Sequence, residues 1–219
     1  MKLQVAMAAS MAALFMAACG TTPEEQAAAR EKAVADSIAA AASMEMTYTL
    51  DGAASKLTWA GIMAGIKTHT GDLKFTEGTI MTKGPTLTGG SFTIDMKSYV
   101  MTDTNYAPDG SEKGTRAMLM GHLMSPDFFA VDSFPTATLK ITGVTGNTAA
   151  ADLTVRGKTN SETITDIVVT PNADGTVNAS GKLAFDRQKY GVAWSSGSKD
   201  AVLNDNIELN VQVTGKAAM

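Results

Sequence analysis

From Thr47 onward, apolar and polar residues alternate with a period of two in one short run after another. Leu57 and Trp59 alternate in KLTWAG, and Phe92, Ile94 and Met96 alternate with Thr93, Asp95 and Lys97. Ala137, Leu139 and Ile141 do the same against Thr138, Lys140 and Thr142, as do Leu153 and Val155 against Thr154 and Arg156. Val177, Ala179, Gly181, Leu183 and Phe185 form one face of a further run. In the last run, Ile207, Leu209, Val211 and Val213 face away from Glu208, Asn210 and Gln212. Each run predicts a strand with one dry and one wet face. Turn signals separate them: Asp51-Gly52, Lys83-Gly84-Pro85, Gly89-Gly90, Thr145-Gly146-Asn147 and Pro171 to Gly175. Ser111 to Leu123 breaks the alternation with Ala117, Met118, Leu119, Met120 and Leu123 after a charged start, which predicts a short helix. Many one-sided strands with short turns imply an all-β domain, either a closed antiparallel barrel or a sandwich.

The pattern before Thr47 is of another kind. Met1 to Gln4 carries one positive charge, Val5 to Phe15 is an uncharged, mainly apolar run of 11 residues, and small residues precede Cys19. These are the parts of a secretory signal, and the run is too short for a membrane-spanning helix, which needs about 20 residues. Met16-Ala17-Ala18-Cys19-Gly20 resembles a bacterial lipobox, with Met16 where Leu is usual. That resemblance implies a lipoprotein signal peptide over 1–18, lipidation at Cys19, and a membrane anchor through the attached acyl chains. A plain signal peptide with a chance cysteine is the alternative. Gly20 in place of Asp after the cysteine favours outer-membrane sorting, by resemblance to enterobacterial lipoproteins. The expected location is the bacterial cell envelope, facing the periplasm or the surface. Residues 19–46 then form an Ala-rich tether, a frayed helix or a flexible spacer, ahead of a domain over 47–219.

Composition narrows the function classes. One cysteine excludes an internal disulfide and a paired CxxC zinc site, and two histidines leave little for a histidine-rich metal centre. A net charge of −4 gives no basic footprint for nucleic acid. GxSxG, HExxH and P-loop patterns are missing from the sequence. No cofactor is expected beyond a bound lipid.

Several pieces in order carry a more specific signal: Trp59-Ala60-Gly61, His69-Thr70-Gly71, Gly90 to Asp95, Gly121 to Phe129 (GHLMSPDFF) with Phe134-Pro135, Ala151 to Gly157 (ADLTVRG), and Phe185 to Gly191 (FDRQKYG). So arranged, the chain from about Thr47 to Lys216 resembles the YceI-like family of periplasmic lipid-binding proteins. The resemblance implies a lipocalin-like antiparallel β-barrel of about eight strands, here with a short helix near one end. It also implies a long apolar tunnel for a polyisoprenoid or similar amphiphile, without a reaction.

The inward faces supply the expected tunnel lining: Leu57, Trp59, Phe92, Ile94, Leu139, Leu153, Phe185, Leu209 and Val211, with at least one of the adjacent pair Phe128 and Phe129. Trp59 is expected to bond its N–H to a polar partner, as buried indoles usually do. Trp194 is expected nearer an end, with less effect on a ligand. His122, Asp127 and Arg187 are candidates for head-group contacts. Each also has a structural reading: His122 as a helix-end residue, Asp127 as a turn cap, Arg187 as an ion-pair partner. His69 is read as a polar strand or turn residue, since a metal role lacks other ligands.

Three functions remain open at this stage. The chain is an envelope-anchored carrier or buffer for long-chain isoprenoids; or a filled barrel that binds another envelope protein; or an enzyme with the tunnel as its substrate site. A hollow or filled interior separates the first two.

Overall fold

A computed structural model describes residues 22–63, 67–195, 197 and 203–218. The proposed signal peptide and Cys19 lie outside the described residues. The chain divides into two units, Met1–Ala41 and Ala42–Met219.

Helix α1 (Pro23–Ser43) accounts for most of the Ala-rich segment. Its start is a capping box: the Glu25 N–H donates to Thr22 Oγ1 at 3.3 Å, and Glu25 Oε2 accepts from the Thr22 N–H at 2.8 Å. Pro23 stands at the first helical position, where its missing N–H costs nothing. Among the described residues no helix is long and apolar enough to cross a membrane.

The second unit is built from strands β1 (Glu45–Leu50), β2 (Lys56–Met63), β3 (Lys67–Lys83), β4 (Thr86–Met101), β5 (Thr136–Thr145), β6 (Thr148–Val155), β7 (Lys158–Pro171), β8 (Thr176–Asp186) and β9 (Leu203–Ala217). All pair antiparallel. Each strand from β2 to β9 pairs with the next, and β9 returns to β2, with Trp59 opposite Leu209. β1 extends the stave that β2 begins: β2 pairs with the first half of β3 and most of β9, β1 with the last residues of both. The result is a closed eight-stave barrel, which leaves no long sheet edge open.

Alternation governs burial as the sequence predicts. On β6, Ala149, Ala151, Leu153 and Val155 are buried, and on β8, Val177, Leu183 and Phe185. Each large side chain so buried contributes about 1.5–3 kcal/mol.

Three elements differ from expectation. Gly89 and Gly90 make no turn; they lie within β4, where a Cβ on Gly90 would stand 2.7 Å from the Thr79 carbonyl of β3. Glycine permits the close approach of two backbones there. The helix α2 (Arg116–Met124) begins five residues later than Ser111, because Thr115 is its N-cap, accepting from the Met118 N–H at 3.2 Å. Gly114 before it has φ of 77°, which ends the preceding loop. Strands β1, β3 and β7, which lie outside the runs read from the sequence, account for the rest of the barrel; β1 itself alternates, with Met46, Tyr48 and Leu50 against the core and Thr47 and Thr49 exposed.

Candidate lipid-binding cavity

The inward side chains leave the barrel hollow. A cavity of about 330 Å³ lies between α2 and the upper barrel, and a narrower one of about 90 Å³ lies below it. Leu57, Ile94, Leu153 and Leu209 border both, so these four side chains form the waist between the two spaces. Trp59, Phe128, Phe129 and Phe185 line the upper space, while Phe92, Leu139 and Val211 line the lower. Every residue expected on the tunnel wall therefore borders the interior space. A wall of this size and apolarity suits a ligand that gains by leaving water.

Trp59 departs from expectation in one respect. Its Nε1 is buried and has no hydrogen-bond partner. The cause is its seat: the indole occupies the space a side chain at Gly71 would need, with a Gly71 Cβ only 2.7 Å from Nε1. The ring is thus pressed against β3 and meets Tyr99 edge-on, 5.8 Å between centroids. Tyr99 brings a phenol to the same wall, and burial pushes its pKa up, so it stays protonated. Its hydroxyl makes no hydrogen bond among the described residues.

Trp194 lies near the end of the barrel that α2 covers, as expected, and borders the upper cavity there. It packs edge-on against His122 at 4.7 Å, and His122 in turn packs edge-on against Phe128 at 5.3 Å. Two arginines hold this aromatic group. Arg156 donates to the carbonyls of Phe128 (2.9 Å), Gly191 (2.7 Å) and Pro126 (2.8 Å). It sits with φ of 53° in the two-residue turn it forms with Gly157 between β6 and β7, a backbone state that costs a non-glycine residue. Arg187, 3% exposed, donates to the carbonyls of Val192 (2.6 Å) and Trp194 (2.9 Å) and to the Asp205 carboxylate (3.0 Å).

The head-group candidates separate accordingly. Arg187 does not border the cavity: its guanidinium is used up in holding the Trp194 segment and β9. Asp127 is exposed and off the cavity, in the turn after α2. Of the three, only His122 lines the space, at the last turn of α2. Its Nε2 is buried without a hydrogen-bond partner, enclosed by the rings around it.

A polar cluster that the sequence did not announce lies at the same end. His69 Nδ1 is 3.0 Å from Asp103 Oδ2, and the Tyr106 hydroxyl donates to Asp103 Oδ1 at 2.6 Å. Burial raises the Asp103 pKa, but the hydrogen bonds from Tyr106 and His69 outweigh it and hold the carboxyl below its ordinary value. His69 stacks on Tyr106, 5.1 Å between centroids, and the Arg116 guanidinium lies 5.2 Å from the Tyr106 centroid. His69 and Asp103 are 34 positions apart, on β3 and in the loop after β4, so no spacing rule links them. Among the described residues, no group of histidine, cysteine and carboxylate side chains is arranged to hold a metal ion.

The fold recurs in solved structures. Two of the similar structures show the extent of the match. BcnA of Burkholderia cenocepacia matches with a TM-score of 0.59 at 20% identity, over 75% of this chain and 98% of that one. A structure described as a polyisoprenoid binding domain from Saccharophagus degradans implicated in plant cell wall breakdown matches with a TM-score of 0.56 at 14% identity, over 79% and 99%. The UPF0312 protein SAB2563 of Staphylococcus aureus (strain bovine RF122 / ET3-1) is 35% identical over 88 residues, 32% of this chain. The chain spans 44% of the length of that relative. The family model described as the YceI-like domain matches residues 48–215, from within β1 to within β9. The hollow closed barrel and the match along nearly all of it make this chain a member of the YceI-like domain family.

Proposed function

We propose that the chain is an envelope-anchored lipoprotein that holds a long-chain isoprenoid or similar amphiphile in its barrel, as a carrier or buffer and without catalysis. The observation that carries this reading is the pair of apolar cavities inside the barrel that share the Leu57, Ile94, Leu153 and Leu209 side chains. A filled barrel serving only as a protein-binding module has no use for such a space. The polyisoprenoid-binding description of the Saccharophagus degradans domain supports the choice of ligand. Each methylene transferred from water to this wall is worth about 0.8 kcal/mol, so chain length sets affinity.

Titration of delipidated protein with a long-chain isoprenoid tests the reading. Trp59 and Trp194 both line the upper space, so binding should be saturable and should change tryptophan fluorescence. Leu153→Trp puts an indole at the waist and should weaken long chains by at least tenfold while short ones still enter the upper cavity. Failure of every long-chain amphiphile to bind folded, delipidated protein overturns the carrier.

The anchor has its own test. In this reading Cys19 carries the lipid, the mature chain starts there, and the outer membrane is its site. Cys19→Ala should abolish incorporation of a labelled fatty acid and release the protein from membranes, with the barrel's melting temperature unchanged. Equal label on both forms rejects the anchor and leaves the cavity unaffected.

A further inference from the structure

We propose that the barrel wall carries a lateral portal: the break in strand pairing around Leu73, between β3 and β4, opens to admit the ligand's chain sideways at the level of the waist. The inference rests on the carrier reading and adds the route by which the chain enters and leaves. β3 is held weakly on both sides here. On one side its ladder with β2 ends at Leu57–Leu73, and its ladder with β1 begins only at Thr49–Thr79. Residues 51–55 bridge that gap, but they are tied to β9. The Asp51 N–H donates to the Thr214 carbonyl at 2.8 Å, and Ser55 Oγ accepts from the Thr214 N–H at 3.0 Å. On the other side the register passes from Asp72–Val100 directly to Lys74–Asp95, so Leu73 alone faces residues 96–99 of β4.

A single hydroxyl closes the break. The bulged residues of β4 turn their N–H groups elsewhere: Met96 donates to the Pro135 carbonyl at 2.9 Å, and Lys97 to Asp95 Oδ1 at 2.9 Å. Ser98 Oγ takes the place of the missing ladder bond. It accepts from the Lys74 N–H at 2.8 Å and donates to the Asp95 carbonyl at 2.6 Å. Bulges interrupt a ladder and concentrate beside functional sites. A segment with few such ties opens locally while the rest of the fold stays closed.

The break lies where a chain would need it. An outer groove runs over it, bordered by Gly52, Ala53, Lys74, Ser98 and the exposed Val100. Leu73 borders this groove and the upper cavity, and Phe75 borders it and the lower one. These two residues therefore stand between the groove and both interior spaces. Leu73 pairs with Leu57, which belongs to the waist. A chain entering here reaches both spaces from the middle, and neither half has to be threaded past the waist from an end. Val100 offers the chain its first apolar contact outside the wall.

The test is rapid mixing with geranylgeranyl phosphate, read by tryptophan fluorescence, on the full chain carrying Cys19→Ala so that introduced thiols are the only ones. Ser98→Ala removes the clasp. Ser98 borders neither cavity, so entry and exit rates should both rise about fivefold, as loss of one hydrogen bond allows, with affinity unchanged. The pair Lys74→Cys and Ser98→Cys locks the break when joined. Oxidation should slow both rates at least about tenfold at constant affinity, and reduction should restore them. A control pair, Thr70→Cys and Thr102→Cys, spans the same two strands where the hydroxyls are 2.9 Å apart and the backbones are bonded. Its oxidation should leave the rates as they were. Unchanged rates in Ser98→Ala overturn the portal, whether or not the 74–98 disulfide forms. So does equal or greater slowing by the 70–102 disulfide, which places entry at the upper end. In both cases the carrier reading stands. If the wild-type barrel binds no long-chain amphiphile, both fall.

Discussion

Phe185→Asp is expected to leave no folded barrel at ambient temperature. Phe185 is 4% exposed and meets Tyr190 edge-on at 5.2 Å. Loss of a buried phenyl ring costs about 3–5 kcal/mol, and an unpaired carboxylate in its place adds a desolvation penalty. Together these match the whole stability of a typical domain, about 5–15 kcal/mol. Leu209→Asp should be milder. Leu209 is half-buried and borders both cavities, so a carboxylate there can draw water into the interior. Gln212→Asp, on the exposed face of β9, should change stability by less than about 0.5 kcal/mol. Urea unfolding of the three variants checks the order, and similar losses for all three would mean that the inward and outward faces are wrongly assigned.

Arg187→Met is expected to cost about 3 kcal/mol or more and to loosen the upper cavity. The substitution keeps much of the aliphatic volume and removes the donors. The Val192 and Trp194 carbonyls then lose the guanidinium, and an unsatisfied buried carbonyl costs about 1–3 kcal/mol. Asp205 is half-exposed and returns to water, so its charge adds little. Trp194 is the ring this segment presents to the cavity, so the loss should show twice: as a lower melting temperature, and as a red-shifted, more mobile tryptophan signal. A variant with wild-type fluorescence and stability would show that Trp194 is held by its contacts with His122 and Phe128 alone.

The two arginines give local meaning to motifs that the sequence shows only as strings. In ADLTVRG, Arg156 accepts an unfavourable backbone angle and in return reaches three carbonyls around Phe128. In FDRQKYG, Asp186 caps the 3-10 turn Arg187–Tyr190, which turns Arg187 inward and Tyr190 into full burial. Neither arginine contacts the interior space, although their neighbours do. A charged residue beside a binding aromatic thus acts here through the backbone it holds.

The strand faces were legible in the sequence because a strand alternates strictly by two, and one face of a barrel wall is dry. Phe92 and Ile94, Leu153 and Val155, Leu209 and Val211 needed nothing but that rule. β3 and β7 were not legible. A register shift between Phe75 and Glu77 moves the buried set of β3 from Leu73 and Phe75 to Ile80 and Thr82, and a shift between Thr165 and Val168, with Asp166 at φ of 55°, breaks the phase of β7. A bulge adds one residue and moves every later side chain to the other face. The capping box at Thr22 was present as Thr-Pro-Glu-Glu, a local signal that turns the Ala-rich segment into a helix from its first turn.

Hollowness, the seat of Trp59 on Gly71 and the rim around His69 were decided only by tertiary structure. Alternation determines which way a side chain points, not how far the opposite wall stands from it; closure over eight staves sets that distance and leaves the cavity. Trp59 loses its expected N–H partner because the register of β2 on β3 places a bare Cα beneath the ring. Asp103 finds His69 because β3 and β4 pair along most of their length and bring the loop after β4 back to the start of β3. Contacts across 34 residues depend on that pairing, and no local pattern encodes it.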